Sequence, residues 1–112
     1  MPQGALSGLV EAATGRDFKE DDVLRTGKRI MNMRHVFNLR EGQKRGDSLL
    51  PNRCVGEPPL TDGPLKGVTL NYRKMADGFF EGIGWNKETL VPTRGSLEDL
   101  GGMDDVIRDL YR

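Results

Sequence analysis

Apolar residues recur at helical spacing in five places along this chain and lose that spacing across one long stretch between them. In residues 5–13, Leu6, Leu9, Val10 and Ala13 share one helical face, and Thr14-Gly15 supplies a stop because glycine tolerates the left-handed exit conformation. A longer helix is expected from Lys19 or Glu20 to Glu41. Glu20, Asp21 and Asp22 suit the exposed amides of its first turn, Asp17 is placed to cap it, and Gly42 is its exit. Val23, Leu24, Gly27, Ile30, Met31 and Phe37 fall in one broad stripe, while Met33, Val36 and Leu39 lie off it, so burial from two sides is expected. Gly27 costs a helix about 1 kcal/mol relative to alanine, and its place in the stripe points to close approach of another backbone.

Residues 43–70 show no sustained periodicity, and Pro51, Pro58, Pro59 and Pro64 remove donors and favour extended neighbours. Loops beyond ~15 residues are uncommon in compact domains unless they are functional or draped over a partner. A third helix is expected over residues 71–82, with Tyr72, Met75, Phe79 and Phe80 as its stripe and Trp85 packing back after it. A short element at residues 96–100 takes Ser96 as N-cap. The last helix, residues 103–111, has Asp104 and Asp105 in its first turn and Val106, Ile107 and Leu110 as apolar contacts. The fold class is therefore all-α: a small multihelical domain with one long central helix and long Pro/Gly-rich connections.

Composition narrows the function classes. With 112 residues, a single domain over residues 1–112 is expected, burying roughly two-thirds of its unfolded surface. Its 17 basic and 17 acidic residues cancel, which removes the field that draws in nucleic acid or an anionic membrane. No apolar run approaches ~18 residues and the first residues lack the blocks of a leader, so a cytoplasmic protein is expected. The single Cys54 cannot form an internal disulfide, which agrees with a reducing compartment.

Candidate chemistry is sparse. His35 is the only histidine and has no second imidazole near it, so a solvated or hydrogen-bonded helical histidine is the expected role rather than a metal ligand. Cys54 follows Arg53, which would favour a thiolate, yet His35 is the one base available to it. Met31, Met33 and Met75 read as core filling. The carboxylates Asp21, Asp22, Asp104 and Asp105 are explained by helix starts, and no carboxylate pair has a catalytic spacing. Gly82-Ile83-Gly84-Trp85 follows a helix and lacks a Gly-Lys-Ser/Thr ending, and the segment from Gly63 to Gly67 reads as a turn; neither is a phosphate loop. No catalytic, cofactor-binding or metal-binding residue is assigned.

The corner where the long helix runs into the loop carries a specific pattern: Arg29, Ile30 and Asn32, then Phe37, Asn38, Arg40, Glu41 and Gly42, then Arg45, Asp47, Leu50, Pro51 and Arg53. This resembles the C-terminal part of the aldehyde ferredoxin oxidoreductase family, tungsten enzymes with an Arg-Ile-Trp-Asn-Leu helix running into Phe-Asn-x-Arg-Glu-Gly and Arg-x-Asp-Asp-x-Leu-Pro-x-Arg. Gly63-Pro64, Lys66-Gly67, Met75, Phe79-Phe80, Gly84-Trp85, Pro92-Thr93 and Leu100-Gly101 fall into the same register, so the resemblance covers nearly the whole chain. Met31 stands where the family often has tryptophan, and His35 where arginine or another polar residue is expected.

The resemblance implies a helical C-terminal domain, fragment or remnant of an enzyme that oxidises aldehydes to carboxylic acids at a tungstopterin and passes electrons through a [4Fe-4S] cluster to ferredoxin. The family's cluster cysteines and its acid/base glutamate and histidine lie upstream of the matched region, and Cys54 is not at a ligand position. No cofactor is expected in this chain alone. The expected partner is a cofactor-binding N-terminal portion or subunit, and the chain is not expected to be active by itself. A stand-alone helical interaction module or accessory subunit is the alternative. Arg40, Glu41, Asp47 and Arg53 are expected to form a charge network that fixes the loop.

Overall fold

The computed structural model describes Pro2 and residues 4–112; Met1 and Gln3, in the stretch read for a leader, lie outside the described residues. Five α-helices follow one another: α1 (Ala5–Thr14), α2 (Glu20–Arg40), α3 (Tyr72–Gly82), α4 (Arg94–Leu100) and α5 (Asp104–Leu110). Two 3-10 turns, Arg45–Ser48 and Asn52–Val55, lie between α2 and α3. Among the described residues there is no strand, only isolated bridges between Leu60 and Lys66 and between Trp85 and Pro92. The all-α expectation holds, with the long helix at its centre.

Local chemistry explains where the helices begin and end. Gly15 closes α1 in the left-handed conformation, its N–H donating to Glu11 O at 2.8 Å. Asp17 does not cap α2, because it is held at 2.5 Å by Lys19 Nζ. Asp22 does the work from inside the first turn, its Oδ2 accepting from the Lys19 N–H at 2.9 Å. Asn71 caps α3 by accepting from the Lys74 N–H at 3.1 Å. The cap of α4 is Thr93, not Ser96: Thr93 has extended backbone and its Oγ1 accepts from the Ser96 N–H at 3.3 Å. Ser96 sits inside the helix, its hydroxyl 2.8 Å from Thr93 O and 3.1 Å from Gly84 O.

The core lies at the C-terminal end. Leu97, Met103 and Ile107 are buried together, with Leu100, Val106 and Leu110 packed against them. Helix α2 reaches this cluster through Arg29, whose guanidinium donates to Leu100 O at 2.6 and 3.0 Å and to Gly101 O at 2.8 Å. The long connection is ordered locally around buried Val55, whose carbonyl accepts from the Leu70 N–H at 2.9 Å. Gly56 makes that closure possible: its φ is 78°, and a Cβ there would stand 2.3 Å from Val68 O.

Burial of α2 is partial on both of its apolar faces: Val23 and Met31 on the stripe and Val36 and Leu39 off it are half-buried, polar Asn32 is the residue buried fully, and Ile30, Met33 and Phe37 are each more than half exposed. The expectation at Gly27 is corrected: no other backbone among the described residues approaches it, and a Cβ there would meet nothing within 4 Å.

The shape is correspondingly open. The radius of gyration is 18.6 Å, against about 13 Å for a compact chain of this length. Its accessible surface is 8572 Å², whereas a compact monomer of this mass exposes about 6,200 Å². The excess is carried by apolar side chains on α2, α3 and the long connection, among them Phe37, Phe79, Leu50, Leu65 and Leu70.

Candidate functional site

Trp85 is the meeting point of the chain's aromatic and polar groups. Gly84 delivers it by turning the chain out of α3 at φ 78°, in a space where a Cβ would lie 2.5 Å from Ser96 Cβ. The indole Nε1–H donates to Asn32 Oδ1 at 2.9 Å, and Asn32 Nδ2 donates back along α2 to Lys28 O at 2.9 Å. Asn32 is 3% exposed, and both ends of its amide are satisfied, as a buried polar group requires. His35, one helical turn on, stacks on the indole with ring centroids 3.6 Å apart and planes 8° from parallel. Phe80 lies near-parallel beyond at 6.0 Å.

The far side of this hub is the turn from Asn86 to Val91. Leu90 is buried and adopts a positive φ of 61°, uncommon for a side chain that is not glycine. Its N–H donates to Asn86 O at 2.7 Å, and its carbonyl lies 2.7 Å from His35 Nε2. A carbonyl only accepts, so Nε2 carries the proton and this tautomer is fixed by the bond. Burial of the imidazole pushes its pKa below the ordinary value, and the bond to Leu90 O opposes that shift. Of the two roles expected for His35, solvated or hydrogen-bonded, the structure shows the second, and Trp85 packs back as expected.

The corner over residues 37–53 is built differently from its expected charge network. Arg40 and Glu41 are 3.8 Å apart and both exposed, a separation and setting worth little in stability. Asp47 accepts from the Lys44 N–H at 2.7 Å, which starts the first 3-10 turn. Among the described residues no ion pair includes Asp47 or Arg53. Instead Arg45 crosses to α3, where it pairs with Asp77, reaches Lys87 O, and lies 5.7 Å over the Phe80 ring. Sequence reasoning placed Arg45 in the motif without giving it this role; Asp77 follows it by too many residues for spacing to connect them.

Cys54 is exposed on the turn Asn52–Val55. It borders an apolar hollow of ≈310 Å³ that Val55, Pro58, Leu65 and Val68 help line. His35 faces Trp85 and Leu90 instead, and no hydrogen bond joins it to Cys54 among the described residues. No group of three or more histidine, cysteine, aspartate or glutamate side chains converges among the described residues. A [4Fe-4S] cluster takes four thiolates, and one exposed cysteine does not fit it. No helix among the described residues is long and apolar enough to cross a membrane.

A larger apolar concavity than the one beside Cys54 lies between the C-terminal half of α2 and α5. It is a groove of ≈550 Å³ that Met33, Val36 and Phe37 of α2 and Val106 and Leu110 of α5 help line, together with Arg40, Asp105 and Asp109.

Fold and hub together define an all-α unit whose buried polar groups serve to tie its helices to one another. The chain belongs to the aldehyde ferredoxin oxidoreductase family: the family model described as aldehyde ferredoxin oxidoreductase, domains 2 & 3, matches residues 1–101. Helix α5 lies beyond that match. Among its relatives, the tungsten-containing aldehyde ferredoxin oxidoreductase of Pyrococcus furiosus is 37% identical over 94 residues, covering 83% of this chain and 15% of that protein. The proteins of the same name from Thermococcus kodakarensis and Pyrococcus horikoshii are 35% and 34% identical over the same lengths. The chain therefore spans about 15% of the length of the curated relatives it matches. No solved structure matches it.

Proposed function

We propose that residues 1–112 form a single helical domain from the C-terminal part of a tungstopterin aldehyde:ferredoxin oxidoreductase, inactive alone and completed by the cofactor-bearing remainder of that enzyme. The observation that carries this reading is the match of residues 1–101 to a family whose members are several times longer. The open shape supports it. A surface exceeding that of a compact monomer by about 2,400 Å² is in the range of total area buried by obligate interfaces.

In the complete enzyme a bound tungstopterin and a [4Fe-4S] cluster would supply the redox chemistry for oxidising an aldehyde to a carboxylic acid and passing electrons to ferredoxin in the cytoplasm, and no residue of this chain is assigned to hold either. This chain's part is to hold and cover the cofactor-bearing portion. The hub of Asn32, His35 and Trp85 keeps α2 rigid for that purpose.

The test is reconstitution. The purified chain is mixed with a cofactor-loaded N-terminal portion of a family enzyme, and aldehyde-dependent reduction of ferredoxin is followed. A stable complex with activity above that of either part supports the proposal, and absence of association at micromolar concentration overturns it. Stoichiometric tungsten or iron in the purified chain alone would overturn the claim that this piece binds no cofactor. An accessory module that binds a different protein is the outcome to which lack of association would point.

A further inference from the structure

We infer that the groove between α2 and α5 is the seat of an amphipathic helix from the remainder of the same enzyme, and that this helix, rather than a second copy of the chain, completes the core. The inference rests on the reading above and adds to it the surface and the kind of element that fills it.

Four observations carry it. First, α2 presents Val23, Thr26, Ile30, Met33 and Phe37 at alternating intervals of three and four, the spacing of a seam that packs along another helix. Val23 and Thr26 are half-buried, whereas Ile30, Met33 and Phe37 are 52%, 55% and 53% exposed, so the later part of that seam has no occupant among the described residues. Second, the seam runs into a cleft with two helical walls, and ≈550 Å³ between walls of this kind suits side chains of a third helix laid along it. Third, both walls are anchored. Helix α2 is fixed by Asn32 to Trp85 and by Arg29 to Leu100 and Gly101, and α5 by Ile107 in the Leu97 and Met103 cluster. The exposed stripe on α3 around Met75 and Phe79 has no facing wall of this kind among the described grooves.

The fourth observation concerns the occupant. The chain covers about 15% of its relatives' length, so most of the family's polypeptide lies outside this structure and has to meet it somewhere. Arg40 pairs with Glu41, Asp105 with Arg108 and Asp109 with Arg112, so the charges lining the groove are matched within this chain, and the surface left for the occupant is the apolar one of Met33, Val36, Phe37, Val106 and Leu110, which takes the apolar face of an amphipathic helix.

The test uses the full chain and the Pyrococcus furiosus relative lacking the stretch that this chain matches. Met33→Glu and Phe37→Glu are made singly, with Phe79→Glu on α3 as the comparison. Circular dichroism of each isolated variant is measured beside sedimentation of the mixtures. Because Met33 and Phe37 are exposed, both variants should keep the helix content of the parent chain. Each should weaken the complex more than tenfold, with Phe79→Glu changing it less than threefold.

Wild-type-like binding by Met33→Glu and Phe37→Glu, with loss in Phe79→Glu, overturns the inference while leaving the proposed function standing. No complex with the unsubstituted chain overturns both. Self-association of the isolated chain that Phe37→Glu abolishes makes a second copy the occupant, and also overturns the inference.

Discussion

His35 and Trp85 lie ring on ring, 3.6 Å between centroids and 8° from parallel, joining the middle of the longest helix to the turn that follows α3. The same indole donates to Asn32 one turn earlier on that helix. One aromatic residue is thereby fixed in position by stacking and in rotation by a hydrogen bond.

The hydrogen bond should be measurable by itself. Asn32→Ala leaves the indole N–H without a partner in a buried place, at a cost of about 1–3 kcal/mol. Trp85→Phe removes the donor and strands the amide oxygen. If the two act as a pair, the double variant costs less than the sum of the single ones, with a coupling of about 0.5–3 kcal/mol. Urea unfolding of the four proteins gives the cycle, and strict additivity would show that the bond contributes nothing specific.

His35 gives a pH dependence of defined sign. Burial disfavours its charged form and holds its pKa below the ordinary 6.5. The unfolded chain takes up a proton as pH falls through 6.5, while the folded chain does so only lower down. The folded state therefore binds fewer protons in that interval, and stability rises with pH across it. The contribution is complete above 6.5 and is lost as pH falls toward the folded-state value. Urea midpoints of the parent chain should drop between about pH 8 and about pH 5. His35→Gln should be flatter than the parent over the upper part of that range, where carboxylates do not titrate, and equal slopes would remove His35 as the cause.

Much of this fold was legible in the residues because its signals are local. The helix stops at Gly15 and Gly42 and the acidic first turns of α2 and α5 each act within about one turn of where they stand in the chain. Trp85 was read as packing back, although its partners were not named. What was not legible depends on distance along the chain. Arg45 meets Asp77 and Arg29 meets Leu100 across stretches that no periodicity spans. The stripe on α2 was read correctly as apolar, but apolar character does not say whether the covering element belongs to the same chain. Nor does the place of Gly27 within the stripe say whether a backbone of the same chain approaches it, and none does among the described residues. For the candidate site, family resemblance carried the reading further than chemistry: the family match spans residues 1–101, the Phe37 to Arg53 corner included, while Arg40 and Glu41 of that corner stay exposed.

Two glycines should respond to alanine in opposite directions. Gly27 lies inside α2 with open space around it, so Gly27→Ala should stabilise the isolated chain by about 0.5–1 kcal/mol. Gly56 combines a φ of 78° with a prospective Cβ 2.3 Å from Val68 O. The left-handed conformation alone costs a residue with a Cβ about 1–2 kcal/mol, and the clash adds to it. Gly56→Ala should therefore free the connection that Val55 and Leu70 close, read as faster proteolysis within residues 57–70. Unchanged cleavage there, with a lowered global stability, would mean that the loop and the helices unfold together.

Arg29 is the strongest test of how the two halves of the fold are joined. Its guanidinium reaches the carbonyls of Leu100 and Gly101, at the end of α4, where helix geometry leaves acceptors unpaired and the dipole favours a cation. Arg29→Ala removes both the charge and the donors from partly buried carbonyls and should cost about 1.5–3 kcal/mol. Arg29→Lys keeps the charge but loses the planar fork that serves two acceptors, so it should fall between the parent and Arg29→Ala. Amide exchange locates the effect: the Ile107 N–H, bonded to Met103 O at 2.9 Å, should exchange faster in Arg29→Ala, because α5 is held through the chain segment that Arg29 clamps. If Arg29→Lys matches the parent in both measurements, the charge at the helix end suffices and the fork is incidental. If Arg29→Ala leaves Ile107 protected, the Leu97, Met103 and Ile107 cluster holds α5 without help from α2.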